Sequence, residues 1–210
     1  MKRIVVTRTA GSVVGLFLIS IALSSSSSST SRVQTDSDTG VTAEEYEIYS
    51  SVIKQLYVRP ETKLLMIEER TFRYDFANED DEPWREKRKG VTIDESAADD
   101  YEAKNSDQWL LNKMSFKLPV KTILITDLDL KAIFHGNWGE LQWINYYRRF
   151  PDSRGFVMLS RIGFNTRHTQ ALLYVGSRCG PGCGDIHFLL LEKVNGAWTT
   201  KKELRKKSFG

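Results

Sequence analysis

The sequence predicts an α+β fold, a C-terminal four-stranded antiparallel meander covered by N-terminal helices. Three observations carry this expectation. Residues 42–150 alternate helix-period amphipathic stretches with short apolar runs, whereas residues 155–204 hold four strand-like segments joined by short links. Short links favour antiparallel neighbours, because parallel pairing requires a long crossover. In "ALLYV" and "IHFLLL" both alternating faces are apolar, which marks central strands covered on both sides.

The elements follow in chain order. In "TAEEYEIYSSVIKQLYV" (42–58), Tyr46, Tyr49, Ile53, Leu56 and Tyr57 recur at helical spacing, with Thr42 and Glu45 as a capping box and Pro60 as the stop. "KLLMIEE" (63–69) reads as a buried strand, and the charged stretch 70–90 as a solvated surface loop. Residues 92–112 read as a helix, capped by Thr92 and Glu95, with a weak face of Ala97, Ala98, Tyr101 and Leu110. "VKTILIT" (120–126) is strand-like and leads into a short helix N-capped by Thr126. "WGELQWINYYRRF" (138–150) is a further helix, ended by Pro151. The four strand segments are 155–164, 169–176, 185–194 and 197–204, with Asn165 to His168 as one turn and Asn195-Gly196 as a type I′ hairpin turn.

Three regions are expected: a signal peptide (1–24), a Ser-rich tether (25–41) and a single α+β domain (42–210). Lys2, Arg3 and Arg8 precede an apolar run from Gly11 to Leu23, and Ala22 and Ser24 are small residues suited to cleavage. A run of about 13 residues is short against the roughly 20 of a membrane span. The segment therefore directs export to the periplasm or exterior, and would act as an N-terminal anchor only if retained. The tether is too polar to order itself by burial. Removing the signal takes the formal charge from +3 to neutral, since three cations and no acids leave with it. That excludes a nucleic-acid footprint.

The only two cysteines, Cys179 and Cys183, lie in "CGPGCG". Export permits a disulfide, and a chain reversal brings α-carbons within bonding range. Closing so small a loop contributes about 2 kcal/mol in the chain-entropy view. One competing reading is a free reactive thiol, which Arg178 alone does little to activate; the other is a metal site or a hydrolase centre built from Cys179, Cys183 and His187. It lacks a nearby fourth ligand, which His135 or His168 would have to supply. His187 itself sits within an apolar strand, where a hydrogen-bonded core or edge histidine is expected.

Other chemistry finds little support. Ser160 lacks a nucleophile elbow. The chain has no phosphate-binding loop, no dinucleotide fingerprint and no H-E-x-x-H motif. Trp138, Trp143, Tyr146, Tyr147 and Phe150 crowd one segment, as a ligand platform or as a helix face packed on the sheet. "KKELRKK" carries five cations and one acid, suited to a solvated edge strand or to weak contact with acidic lipid headgroups.

"YYRRFPDSRGFVMLSRIGFN" and "QALLYVGSRCGPGCGDIHFLLLEKVNGAW" together resemble a family of uncharacterised exported bacterial proteins. The shared pattern is a P-x-S-x-G turn, an L-S-x-x-G-F strand, an A-L-x-Y-V strand, a Cys-Gly link and an N-G-x-W hairpin. Weaker similarity extends upstream through "DYEAKNSDQWLLNKMSF". The resemblance implies export and an α+β domain, and it implies no activity. Asp185 and His187 depart from its pattern, which has a large apolar residue or glycine there. The sequence thus leans towards a non-catalytic envelope or extracellular binding domain, with an envelope protein or polysaccharide as partner and no cofactor.

Overall fold

A computed structural model describes residues 40–73 and 91–209. The expected signal peptide, almost all of the tether and most of the 70–90 segment lie outside them.

Among the described residues the fold is α+β, with four helices and one mixed, seven-stranded sheet. In chain order the elements are α1 (Ala43–Tyr57), β1 (Leu64–Glu68), α2 (Glu95–Asn105), a 3₁₀ turn (Lys113–Ser115), β2 (Lys121–Ile125), α3 (Asp127–Phe134), α4 (Glu140–Arg149), β3 (Ser153–Leu159), β4 (Gly163–Phe164), β5 (Gln170–Gly180), β6 (Cys183–Val194) and β7 (Ala197–Phe209). The sheet runs β2-β1-β3-β5-β6-β7, and β4 pairs with β5. β1 is parallel to both β2 and β3, whereas β3 to β7 pair antiparallel. The sheet is therefore wider than a four-stranded unit. β1 and β2 join it through crossovers long enough for parallel pairing.

Strand alternation sorts the core onto two faces. Leu65, Ile67, Val157, Leu159, Leu173, Val175, Leu189 and Leu191 pack with Tyr46, Ile48, Tyr49, Val52 and Ile53 of α1. On the other face, Met66, Phe156 and Met158 meet Ile133 and Phe134 of α3 and Trp143 and Tyr146 of α4. Beside them, Leu172, Tyr174, Phe188 and Leu190 meet Ala97 and Tyr101 of α2.

Several local expectations change. The N-cap of α2 is Asp94, whose carboxylate accepts from Ser96 N at 3.2 Å, and not Thr92. Asp is among the preferred caps, and its short side chain competes directly with threonine's. The helix stops at Asn105, and Leu110 is exposed. The segment expected as one strand over 155–164 divides into β3 and β4. Between them Ser160 ties the backbone together, donating to Arg161 O at 2.8 Å and accepting from Tyr174 N at 3.0 Å. By contrast, Thr42 and Glu45 form the reciprocal box at the start of α1. Asn195 and Gly196 both take positive φ, +51° and +82°, between β6 and β7.

Candidate functional site

The sheet separates two clusters of polar and aromatic residues. Under the C-terminal end of α1, His187 stands on β6 opposite Val175 and is 4% exposed. Its Nε2 lies 3.3 Å from Asp185 Oδ2, and its Nδ1 makes a short contact with Glu203 Oε1 of β7. Asp185 Oδ1 accepts from the Tyr57 hydroxyl at 2.8 Å and from Ser177 Oγ at 2.7 Å. Tyr57 also sets its ring edge-on to the imidazole, 6.5 Å between centroids.

The electrostatics of this cluster are those of an ionic anchor. The hydrogen bond to Asp185, reinforced by Glu203 against the cost of burial, raises the His187 pKa. Burial opposes ionisation of Asp185, but hydrogen bonds from His187, Ser177 and Tyr57 outweigh it and hold that carboxyl below its usual range. Burial, with Asp185 alongside, pushes the Tyr57 hydroxyl far up. A general base needs a ring nitrogen free to accept a proton. Here carboxylates occupy both, so His187 serves as a tie between β6, β7 and the end of α1. The two carboxylates also sit on opposite ring nitrogens and do not converge on a common point, as metal ligands must.

Cys179 and Cys183 lie at disulfide distance, α-carbons 5.1 Å apart, at the tip of the β5–β6 hairpin. Pairing continues to Gly180↔Cys183, so only Pro181 and Gly182 form the turn and the cysteines belong to the strands. Four residues of extended strand, about 13 Å, separate Cys183 from His187. The expected alternative grouping of Cys179, Cys183 and His187 is thus not drawn together. His135 caps α3 in a left-handed conformation, and His168 sits in the turn before β5 beside Glu44; both are exposed.

The second cluster is a cleft of about 300 Å³ on the opposite face, between the α3–α4 region and the cysteine-bearing hairpin. Trp138, Trp143, Met158, Tyr174 and Phe209 supply its apolar and aromatic wall, Arg178 its cation, and Gly180 to Gly184 its backbone edge. Most of the crowded aromatic segment is core: Trp143 and Tyr146 are 4% and 0% exposed and pack on Phe156. Among the described residues the Trp143 indole N–H has no hydrogen-bond acceptor and is surrounded by rings, whose faces accept weakly. Trp138 differs. It is 38% exposed, stacks on Phe134 at 4.1 Å, and carries the Arg178 guanidinium 4.8 Å from its centroid. Asp185 and His187 do not line this cleft, though Ser177, which donates to Asp185, does.

Glu68, at the end of β1, adds a titrating group near Arg178. Burial raises its pKa to about 7; Arg178 opposes the shift and Asp127, itself paired with Arg70, assists it. Both Glu68 and His187 bind protons more tightly folded than unfolded. Glu68 contributes stability that is complete below about 4.5 and lost as pH rises to about 7. His187 contributes stability complete below about 6.5 and lost as pH rises through its raised folded value. Urea denaturation across pH 5 to 8 is expected to show stability falling, with Glu68→Gln flattening the lower part and His187→Gln the upper. The Glu68 contribution is at most about 3–4 kcal/mol, at roughly 1.4 kcal/mol per pH unit. Stability that rises over this range would contradict the assignment.

Sequence reasoning missed a buried ion pair. Arg161, between β3 and β4, donates from Nε to Glu45 Oε1 at 2.8 Å and from Nη2 to Glu45 Oε2 at 3.0 Å. The side chains are 4% and 0% exposed. Arg161 also donates to Gly40 O at 2.8 Å and lies 4.9 Å from the Trp109 ring, while Asn105 bridges its backbone. The one signal in the sequence is an arginine interrupting the apolar run "MLSRIGF", which demands a partner if buried.

Among the described residues no helix is long and apolar enough to cross a membrane. Comparison of the chain with protein-family models, with curated proteins and with solved structures finds no match.

Proposed function

We propose that this chain is an exported, non-catalytic binding domain of the cell envelope or exterior, and that it engages its partner through the cleft beside the β5–β6 hairpin. One observation carries the reading: an aromatic, cation-bearing cleft of about 300 Å³ opens at the rim of the sheet. Ligand sites are concave and mostly apolar with a few placed polar groups, and this cleft has that composition. Export rests on the basic, apolar and small-residue order of the first 24 residues, and the closely apposed cysteines suit an oxidising compartment. Membership of the exported family rests on the C-terminal segments that resemble it. The four C-terminal strands, taken as a helix-covered antiparallel meander, form the rigid frame in this reading.

The catalytic alternative centred on Cys179, Cys183 and His187 is less favoured, because each of these groups already has a partner. Lys201, Lys206 and Lys207 are exposed along β7, the outer strand, where cations discourage unwanted strand pairing.

The test is retention of the purified protein on insoluble envelope polymers: peptidoglycan, an acidic polysaccharide resin and anionic vesicles. Retention on one of them, weakened at least about fivefold by Trp138→Ala, is expected. No retention on any, or retention that Trp138→Ala leaves unchanged, would contradict the reading.

A further inference from the structure

We propose that the cleft recognises a carboxylate carried on a six-membered ring, anchored by the Arg178 guanidinium. This rests on the reading of the cleft as the ligand surface and names the chemistry it takes.

The rim of the cleft carries two cation–aromatic pairs. Arg178 lies over Trp138 at 4.8 Å, and Lys207 Nζ over Phe209 at 4.9 Å. Trp138, Arg178 and Phe209 line the cleft directly, and Lys207 pairs across β6 with Ile186, which also lines it. Among the described residues no acidic side chain lines the cleft, although Glu68 lies near enough to Arg178 to feel its charge. Among the described residues the Arg178 guanidinium has no hydrogen bond or ion pair. Its donors are therefore uncommitted, while stacking on Trp138 restricts its orientation.

That combination is specific in what it favours. A guanidinium presents parallel N–H donors matched to the two oxygens of a carboxylate, and such charge-assisted pairs are the stronger kind. Trp138 already stacks on Phe134 and holds Arg178 4.8 Å from its centroid. The ring carrying the carboxylate is therefore placed against Phe209, Tyr174 and the edge of Trp138. A volume of about 300 Å³ suits one or two small rings and lies at the lower end for ligand sites. Neighbouring backbone is held in place: the carbonyl of Arg178 abuts Gly155 of β3, and Cys179 O accepts from the Tyr147 hydroxyl at 2.7 Å.

An acidic sugar and an aromatic acid share this chemistry, and titration separates them. The full chain, oxidised, is followed by NMR while glucuronate or benzoate is added, with glucose and benzyl alcohol as neutral counterparts. At least one acid is expected to move the Arg178–Gly184 amides and the Trp138 indole, with affinity at least about tenfold above its neutral counterpart. Arg178→Gln is expected to weaken that acid at least about tenfold with Tm unchanged, as befits an exposed side chain, and Lys207→Gln about two- to threefold. Response to glucuronate alone identifies a saccharide and response to benzoate alone an aromatic acid; both support the inference. Equal binding of the neutral compounds, or no effect of Arg178→Gln, overturns it while leaving the cleft as a binding surface. The absence of any response up to about 50 mM also overturns it, whatever the polymer retention shows.

Discussion

Replacing Glu45 with alanine is expected to lower the unfolding free energy by about 3–5 kcal/mol, the range for removing one partner of a buried ion pair. Glu45 performs three tasks at once. It accepts two hydrogen bonds from Arg161, one from Ile162 N at 3.1 Å, and one from Thr42 N at 2.9 Å. Its loss leaves a guanidinium at 4% exposure without its counter-charge and removes half of the helix cap. Glu45→Gln retains acceptor capacity but not the charge and should cost less. The double variant Glu45→Leu, Arg161→Met should recover much of the loss, because exchanging both charges for apolar groups is often near neutral. Urea denaturation measures all three. A loss below about 1 kcal/mol for Glu45→Ala would show that the pair is not desolvated as described. Because α1 ends at Tyr57, which holds Asp185, the Tyr57–Asp185–His187 cluster should also loosen, visible as a lower His187 pKa by NMR.

Gly155→Ala is expected to destabilise by about 3 kcal/mol, through positive-φ strain and backbone collision together. Gly155 has φ +88°, and a Cβ there would run into the carbonyl of Arg178 on β5. It lies at the irregularity where β3 shifts register against β1, between Ser153 and Phe156. Its own carbonyl accepts from the buried Tyr146 hydroxyl at 2.9 Å. Sheet register, α4 docking and the backbone of the anchor arginine thus meet at one residue with no side chain. Thermal and urea unfolding should both report the loss, and the Arg178 amide should shift more than amides near His187. Gly182→Ala offers a comparison: its φ is +68°, but nothing lies within 4 Å of the added carbon, so only strain remains. Near-equal losses at the two sites would contradict the collision.

What was legible in the sequence divides by range. Features closed within a few residues could be read directly: the Thr42–Glu45 box, the Thr126 cap, the Asn195-Gly196 turn and the closeness of Cys179 to Cys183. Each depends on local backbone geometry that particular residue types favour. The parallel placement of β1 between β2 and β3 could not be read, because periodicity marks a strand without naming its neighbours. The pairing of Arg161 with Glu45 spans 116 residues, and nothing at either position announces the other. The cleft was hardest. It is assembled from the α3–α4 link, α4, β3, β5, β6 with the turn between them, and β7, and its key aromatic residue, Trp138, is indistinguishable in sequence from its buried neighbour Trp143. The histidine cluster was half legible. His187 in an apolar strand called for hydrogen-bond partners, but Glu203 and Tyr57 reach it from other elements.

The central claim is that the partner sits in the cleft and not at the histidine cluster on the far face. Hydrogen–deuterium exchange of the full chain, free and bound to whichever envelope polymer retains it, tests this most directly. Protection confined to Trp138, Arg178–Gly184 and the C-terminal end of β7 is the predicted result. Protection centred on α1 and the Asp185–His187 stretch, with Arg178–Gly184 unchanged, would contradict it.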